Sequence, residues 1–207
     1  MKKKNLGYTM LMLLVMTGFA GTVNLNPLTK KEKQVAVDHL KQSKDDLMQS
    51  VKGLSDNQLN FKPSAEEWSV NECIQHLALT ENLFWESMNK ALKETPNPDK
   101  RTEIKISDEE VLAKMASRDN KVKTFSTLTP DNSTFTTTKE ALDVIKMKRK
   151  TFIQFIKTTE TDMRSHVVNS PMGMVDAYHL VLMNAAHTNR HIQQINDVKS
   201  HTDFPKR

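Results

Sequence analysis

The chain has 207 residues with one cysteine and 5 glycines, which suits one domain, at most with a tail, and excludes an intramolecular disulfide framework. Three of its 30 Lys and Arg residues lie in the first twenty residues, which hold no acidic residue, so the remainder carries 27 basic against 25 acidic residues, a formal +2. That small excess excludes a strongly basic nucleic-acid-binding domain, and the scarcity of glycine favours helices.

The first twenty residues have the layout of a secretory signal peptide. Three lysines, Lys2 to Lys4, precede an apolar run from Leu6 to Phe19, and small residues follow around Ala20. The apolar run is shorter than the about 20 residues that span a bilayer. We therefore expect residues 1–20 to be a leader cleaved near Ala20. The protein would then be exported, to the periplasm or the medium, with no membrane attachment; an uncleaved anchor is the alternative.

A first helix is predicted over about 29–52. Thr29 followed three residues later by Glu32 is a capping box, in which each side chain bonds a backbone N–H at the helix start. Apolar residues then recur at helical spacing, and Gly53 indicates the end.

A second helix is predicted over about 69–94, after a loop that contains Pro63. Ser69 and Glu72 form another capping box, and two prolines after residue 94 end the helix. The spacing of three and four places several residues on one face: Cys73, His76, Leu77, Thr80 and Phe84.

The second half of the chain predicts one short and two long helices. The short helix covers about 107–125, and the third long helix follows Thr137 and ends near residue 160. The last helix runs from Met174 to about Ser200, after a loop. The basic run 146–150 is interpreted as a solvated helix face. No period-two alternation indicates a sheet, so residues 27–201 predict an all-α four-helix bundle with one short extra helix.

Two histidines four residues apart, His187 and His191, lie on the apolar face of the last helix. At this spacing both imidazoles project from one face and can reach one metal ion. Thr188 stands where a zincin protease has its glutamate, which argues against that chemistry. His76 occupies a buried position on the second helix. Buried neutral histidines need either a metal or hydrogen-bond partners, and the pattern alone leaves both open.

Two segments together resemble a known family. "EEWSVNECIQHLALTE" and, far downstream, "NAAHTNRHIQQINDVK" are similar to the Trp-Ser-x-x-Glu-x-x-x-His and His-x-x-x-His-x-x-Gln signatures of the DinB-like family, whose members include bacillithiol S-transferases. The resemblance implies a bundle of up-down-down-up topology. It also implies a metal triad of one histidine on the second helix and two on the last, here His76, His187 and His191.

A triad of three neutral imidazoles leaves a coordination position open, as in catalytic sites. We expect a divalent ion, zinc or nickel, and hydrolysis or thiol S-transfer on an unidentified small-molecule substrate; no nucleic-acid partner is expected. Small cytoplasmic thiols would be scarce for an exported protein, which weakens the transfer reaction. The alternative is a non-catalytic binding module with a structural metal site or none. The family resemblance also implies a homodimer, although no interface pattern is evident.

Other residues near the triad have two interpretations each. Glu72 is most simply the capping-box partner, with support of a metal ligand as the other role, and Gln194 could orient His191 or be ordinary polarity. Trp68 is expected to pack on the first turn of its helix rather than to contact substrate. Cys73 is expected to be a buried, inert thiol.

Overall fold

The computed structural model describes residues 26–119 and 123–206. The predicted leader, 1–20, lies outside these residues. Within the described ranges, no helix is both long and apolar enough to cross a membrane.

Six α-helices and one two-stranded hairpin make up the described chain, joined by short 3₁₀ turns. The four long helices are α1, α3, α5 and α6, while α2 and α4 are short. Their bounds are α1 Lys30–Val51, α2 Asp56–Asn60, α3 Val70–Lys93, α4 Asp108–Ala116, α5 Thr138–Thr158 and α6 Ala177–Lys199, with strands β1 Val167–Ser170 and β2 Gly173–Asp176. The 3₁₀ turns are Pro98–Glu103, Ser126–Leu128, Pro130–Asn132 and Met163–Ser165.

The helix starts follow the local signals in the sequence. Complete capping boxes begin α1 at Thr29 and α3 at Ser69, as predicted, and another begins α4 at Ser107. At α5 the box is incomplete. Thr137 accepts the N–H of Glu140, but the Glu140 carboxylate bonds Thr136 instead.

The prediction that no sheet forms is wrong at one place. β1 and β2 pair antiparallel, with Val167 opposite Asp176, within a segment predicted to be a loop and the start of the last helix. Gly173 begins the second strand with φ of 94°, a conformation that glycine adopts without strain. Asp176 then caps α6, accepting the N–H of His179, so this helix begins three residues later than predicted.

Two further boundaries differ from the prediction. The helix predicted over 107–125 ends at Ala116, where the N–H of Ser117 still bonds the carbonyl of Ala113. The loop predicted after the first helix contains α2, started by Ser55 and Gln58 in a capping box of its own.

Helices α1 and α6 run parallel. Near their starts, the Tyr178 hydroxyl donates to the Glu32 carbonyl at 2.8 Å. Near their ends, the Lys199 ammonium donates to the Ser50 carbonyl at 2.6 Å.

Helices α3 and α5 run together in the opposite direction. Lys33 at the start of α1 bonds the carbonyl of Thr159 just past the end of α5, at 2.6 Å. The starts of α5 and α3 meet where Thr138 donates to Asn71 at 2.7 Å. The bundle is therefore up-down-down-up, with α1 and α3 each packed between α5 and α6, and with α4 against α6.

The core consists of two apolar clusters with a polar layer between them. One cluster includes Leu40 and Phe152, and the other includes Leu47 and Ile145. Between them lies Arg149, which is fully buried. The interpretation of 146–150 as a solvated face is therefore wrong for Arg149, whose guanidinium finds its partners on the other three long helices.

Candidate metal centre

Three histidines meet between α3 and α6. His76 comes from the second turn of α3, and His187 and His191 lie one turn apart on α6. The Nε2 atom of His187 lies 3.3 Å from that of His76 and 3.2 Å from that of His191. Of the described residues, these three form the one group whose ligand atoms all lie within 4.8 Å of one another.

The Nδ1 atom of each histidine ring faces a hydrogen-bond acceptor. Nδ1 of His76 lies 2.8 Å from the carbonyl oxygen of Leu128, and Nδ1 of His191 lies 3.0 Å from Oε1 of Gln194. Nδ1 of His187 lies 3.5 Å from the hydroxyl of Thr80, whose proton is given to the Leu77 carbonyl. A carbonyl accepts only, so Nδ1 of His76 carries the proton.

The same tautomer at His187 and His191, whose Nδ1 atoms also face acceptors, leaves a lone pair on each Nε2, and the three ligand atoms all lie within 4.8 Å of one another. The Nε2 lone pairs of His76 and His187, 3.3 Å apart, repel unless a cation lies between them. Two ligands of a tetrahedral ion with metal–nitrogen bonds of about 2.0–2.1 Å lie about 3.3–3.4 Å apart. The observed 3.2 and 3.3 Å match that separation, so the donor set fits a zinc-type ion.

Burial keeps the three rings in the neutral form that binds metals. Burial lowers the pKa of His76 below its ordinary value. Burial and then the neighbouring rings hold the pKa of His187 and His191 well below that value, and the nearby cation Arg190 acts in the same direction. Neutral imidazole is the ligating species, so near neutral pH no proton has to leave before an ion binds.

Aromatic side chains flank the three rings. The centroid of the Trp68 ring lies 5.0 Å from that of His76. The Trp68 ring is also stacked on that of His191, with the centroids 6.1 Å apart. The ring centroids of Phe84 and His187 are 5.8 Å apart.

Trp68 was predicted to pack on the first turn of α3, and it does pack against the apolar cluster that includes Val70 and Cys73. It also lies against two of the imidazoles, which was not predicted. Trp68 and His187 remain partly exposed, whereas His76 and His191 are buried.

The two residues predicted to support the metal ligands, Gln194 and Glu72, make different kinds of contact. Gln194 contacts Nδ1 of His191, as that role requires. Glu72 uses one carboxylate oxygen to accept the N–H of Ser69 at 2.7 Å and the other to pair with Lys62 at 3.0 Å. Its contacts are those of a helix cap.

Several residues that lie near the three histidines were not predicted to be part of the site. The sequence placed Thr80 and Phe84 on the face of His76 but assigned neither to the site. The carbonyl of Leu128 is 52 residues from His76, and no sequence signal indicates that contact. Cys73, as expected, is a buried free thiol, and burial raises its pKa far above the ordinary value, so it is not a thiolate ligand or nucleophile.

Comparison with known proteins fixes the family. A sequence model described as the DinB superfamily matches residues 39–195, about three-quarters of the chain, with all three histidines inside the match. The chain belongs to the DinB superfamily. This DinB protein is 30% identical over 151 residues to the uncharacterized protein YuaE of Bacillus subtilis, an alignment that covers 72% of this chain and 88% of YuaE.

A solved four-helix bundle is also similar in structure. YfiT from Bacillus subtilis superposes with a TM-score of 0.58 over 86% of this chain and 91% of YfiT, at 15% identity. It is described as "a probable metal-dependent hydrolase with an unusual four-helix bundle topology". At this identity the likeness shows the fold, and it confirms the predicted four-helix bundle.

Proposed function

We propose that this DinB protein is an exported metal-dependent hydrolase that holds one divalent ion, zinc or nickel, on His76, His187 and His191. The observation that carries the proposal is the convergence of three Nε2 atoms, 3.2 and 3.3 Å apart, with acceptors behind the rings. The description of YfiT as a probable metal-dependent hydrolase supports the same reaction class.

The chain's own residues prepare the site in three ways. The acceptors behind His76 and His191 fix the ring tautomers, which is how supporting contacts orient metal ligands. Burial keeps the rings neutral, and the Trp68 and Phe84 rings limit the access of water. When bound, a divalent ion with three protein ligands supplies Lewis-acid chemistry at its open position.

Catalysis is favoured over a purely structural metal because the fold has an apolar core of its own. Both buried clusters form from side chains such as Leu40, Phe152, Leu47 and Ile145, none of which is a candidate ligand. A structural ion contributes its binding energy to folding. Here we expect chelation to remove the metal with only a small fall in melting temperature.

Hydrolysis is favoured over thiol transfer by the predicted leader, since an exported protein meets few small cytoplasmic thiols. The chain offers no substitute, because its one cysteine is buried and protonated. Thiol transfer to an electrophile remains the second reaction to test.

The first experiment measures the metal content of purified protein by elemental analysis, before and after zinc or nickel loading. Wild type and His39→Ala should hold about one ion per chain, and His76→Ala, His187→Ala and His191→Ala should hold far less. His39 is the matched control because it lies on α1, which carries no member of the triad. Absence of near-stoichiometric metal in loaded wild type would overturn the proposal.

The second experiment tests the reaction. Metal-loaded protein is assayed with p-nitrophenyl acetate and bis(p-nitrophenyl) phosphate for hydrolysis, and with a chloronitrobenzene and free cysteine for transfer. Turnover that disappears on chelation and in His187→Ala supports catalysis. Transfer without hydrolysis would replace the reaction, and a large fall in melting temperature on chelation with no turnover would favour the structural role.

A further inference from the structure

A fully buried ion pair lies at mid-height in the bundle, beside the histidine cluster. Arg149 on α5 and Glu81 on α3 have side chains 0% and 1% exposed, and Nε of Arg149 donates to Oε1 of Glu81. Burying two charges costs several kcal/mol per ion before their attraction is counted. The ion pair between Arg149 and Glu81 has no role in the proposed hydrolysis.

The pair is the centre of a network that reaches all four long helices. Arg149 also donates to the Ser43 hydroxyl on α1 at 3.1 Å and, on α6, to the Asn184 carbonyl at 3.1 Å and the Thr188 hydroxyl. The second carboxylate oxygen of Glu81 accepts from the Asn184 amide at 3.0 Å. Every contact is directional, and helices α3 and α6 are joined both directly and through the guanidinium.

The network adjoins the histidines on both helices. Glu81 directly follows Thr80, whose hydroxyl faces Nδ1 of His187. Thr188, which accepts from Arg149, directly follows His187. A shift of α3 along α6 would therefore break the ion-pair network and separate His76 from its partners at the same time.

We propose that Arg149 is a positioning residue: through Glu81, Asn184 and Thr188 it fixes the register of α3 against α6, so that His76 meets His187 and His191 in metal-binding geometry. The inference rests on the proposed metal site.

The two apolar clusters on either side of the Arg149 network are poorly suited to fixing the register of α3 against α6. Hydrophobic burial is non-directional, and apolar cores tolerate repacking at little cost. The Nε2 atoms, by contrast, must stay at their 3.2 and 3.3 Å separations to share one ion. A buried polar network that specifies register is the best-attested use of such pairs.

The test replaces the pair by apolar residues, in the double variant Glu81→Leu/Arg149→Met. Such replacements often leave stability unchanged or raise it, so folding and positioning can be separated. We expect urea unfolding at or above the wild-type midpoint, with a zinc dissociation constant raised about tenfold or more. The visible absorption of the Co²⁺-loaded variant should also change, because that spectrum reports coordination geometry.

Two single variants provide the controls. Phe152→Leu removes buried volume one turn along α5, at a residue 0% exposed, and should lower stability while keeping the zinc affinity and Co²⁺ spectrum of wild type. Arg149→Lys keeps the charge but loses the planar guanidinium fork. It should weaken zinc binding more than Phe152→Leu does, and this comparison decides the question if the double variant does not fold.

The outcomes separate the two proposals. If loaded wild type binds neither zinc nor Co²⁺, the metal site itself fails. If wild type binds both ions while the folded double variant keeps the same affinity and spectrum, the positioning role of Arg149 is wrong. Equal zinc affinity in Arg149→Lys and Phe152→Leu would overturn it as well.

Discussion

Removing the acceptor behind one ligand should weaken metal binding without removing any ligand. In Gln194→Ala, Nδ1 of His191 loses an acceptor 3.0 Å away, and the two ring tautomers become closer in energy. Loss of such a supporting contact typically costs 10–100-fold in metal affinity. Gln194 is partly exposed, so water can replace it in part, and we expect about tenfold, or about 1.4 kcal/mol.

The assay is competition for zinc between the protein and a chromophoric chelator at neutral pH. Gln193→Ala is the matched control, because that exposed neighbour bonds the Ala116 and Asn189 carbonyls instead. Gln194→Glu should restore or increase affinity, since a carboxylate also accepts the Nδ1 proton and raises ligand basicity. Equal affinity in Gln194→Ala and Gln193→Ala would refute the reasoning.

Three further substitutions test other parts of the structure. Glu72→Ala should lower the free energy of unfolding by about 1 kcal/mol through loss of a helix cap and leave zinc affinity unchanged; a tenfold loss of affinity would restore its predicted supporting role. Gly173→Ala meets no atom within 4 Å but keeps φ at 94°, so urea unfolding should show a loss of about 1 kcal/mol from backbone strain alone; no loss would mean that the turn relaxes. Burial alone would raise the pKa of Asp108, but hydrogen bonds from His179 and Arg164 hold it well below its usual range. The stability that it contributes is therefore present above about pH 4 and lost as the pH falls further. Asp108→Asn should melt lower than wild type at pH 7 and approach it at pH 3, and a constant difference in melting temperature would contradict this.

The four long helices could be predicted from the sequence because their signals are local. Each capping box lies within four residues, as at Thr29 and Ser69, and helical periodicity then identifies the buried face. The hairpin could not be predicted in this way. Its strands have four residues each, and Asn97 supports it by bonding the N–H and carbonyl of Val167, a contact across 70 residues.

The histidines of the site could be predicted, but most of their surroundings could not. Residue spacing brought His187 and His191 together, and the family resemblance added His76. Packing between distant segments decides the rest. The stacking of Trp68 on His191 and the burial of Arg149 both depend on neighbours from other helices. Composition alone indicated solvent exposure for the lysine-rich run 146–150, which contains Arg149.

The most direct test of the metal centre is X-ray absorption at the zinc edge of zinc-loaded protein. We expect three imidazole nitrogens at about 2.0–2.1 Å and no sulfur near about 2.3 Å, with the imidazole signal reduced in His76→Ala and unchanged in His39→Ala. A spectrum with a sulfur ligand, or one that His76→Ala leaves unchanged, would contradict the assignment of His76, His187 and His191 as the ligands of one ion.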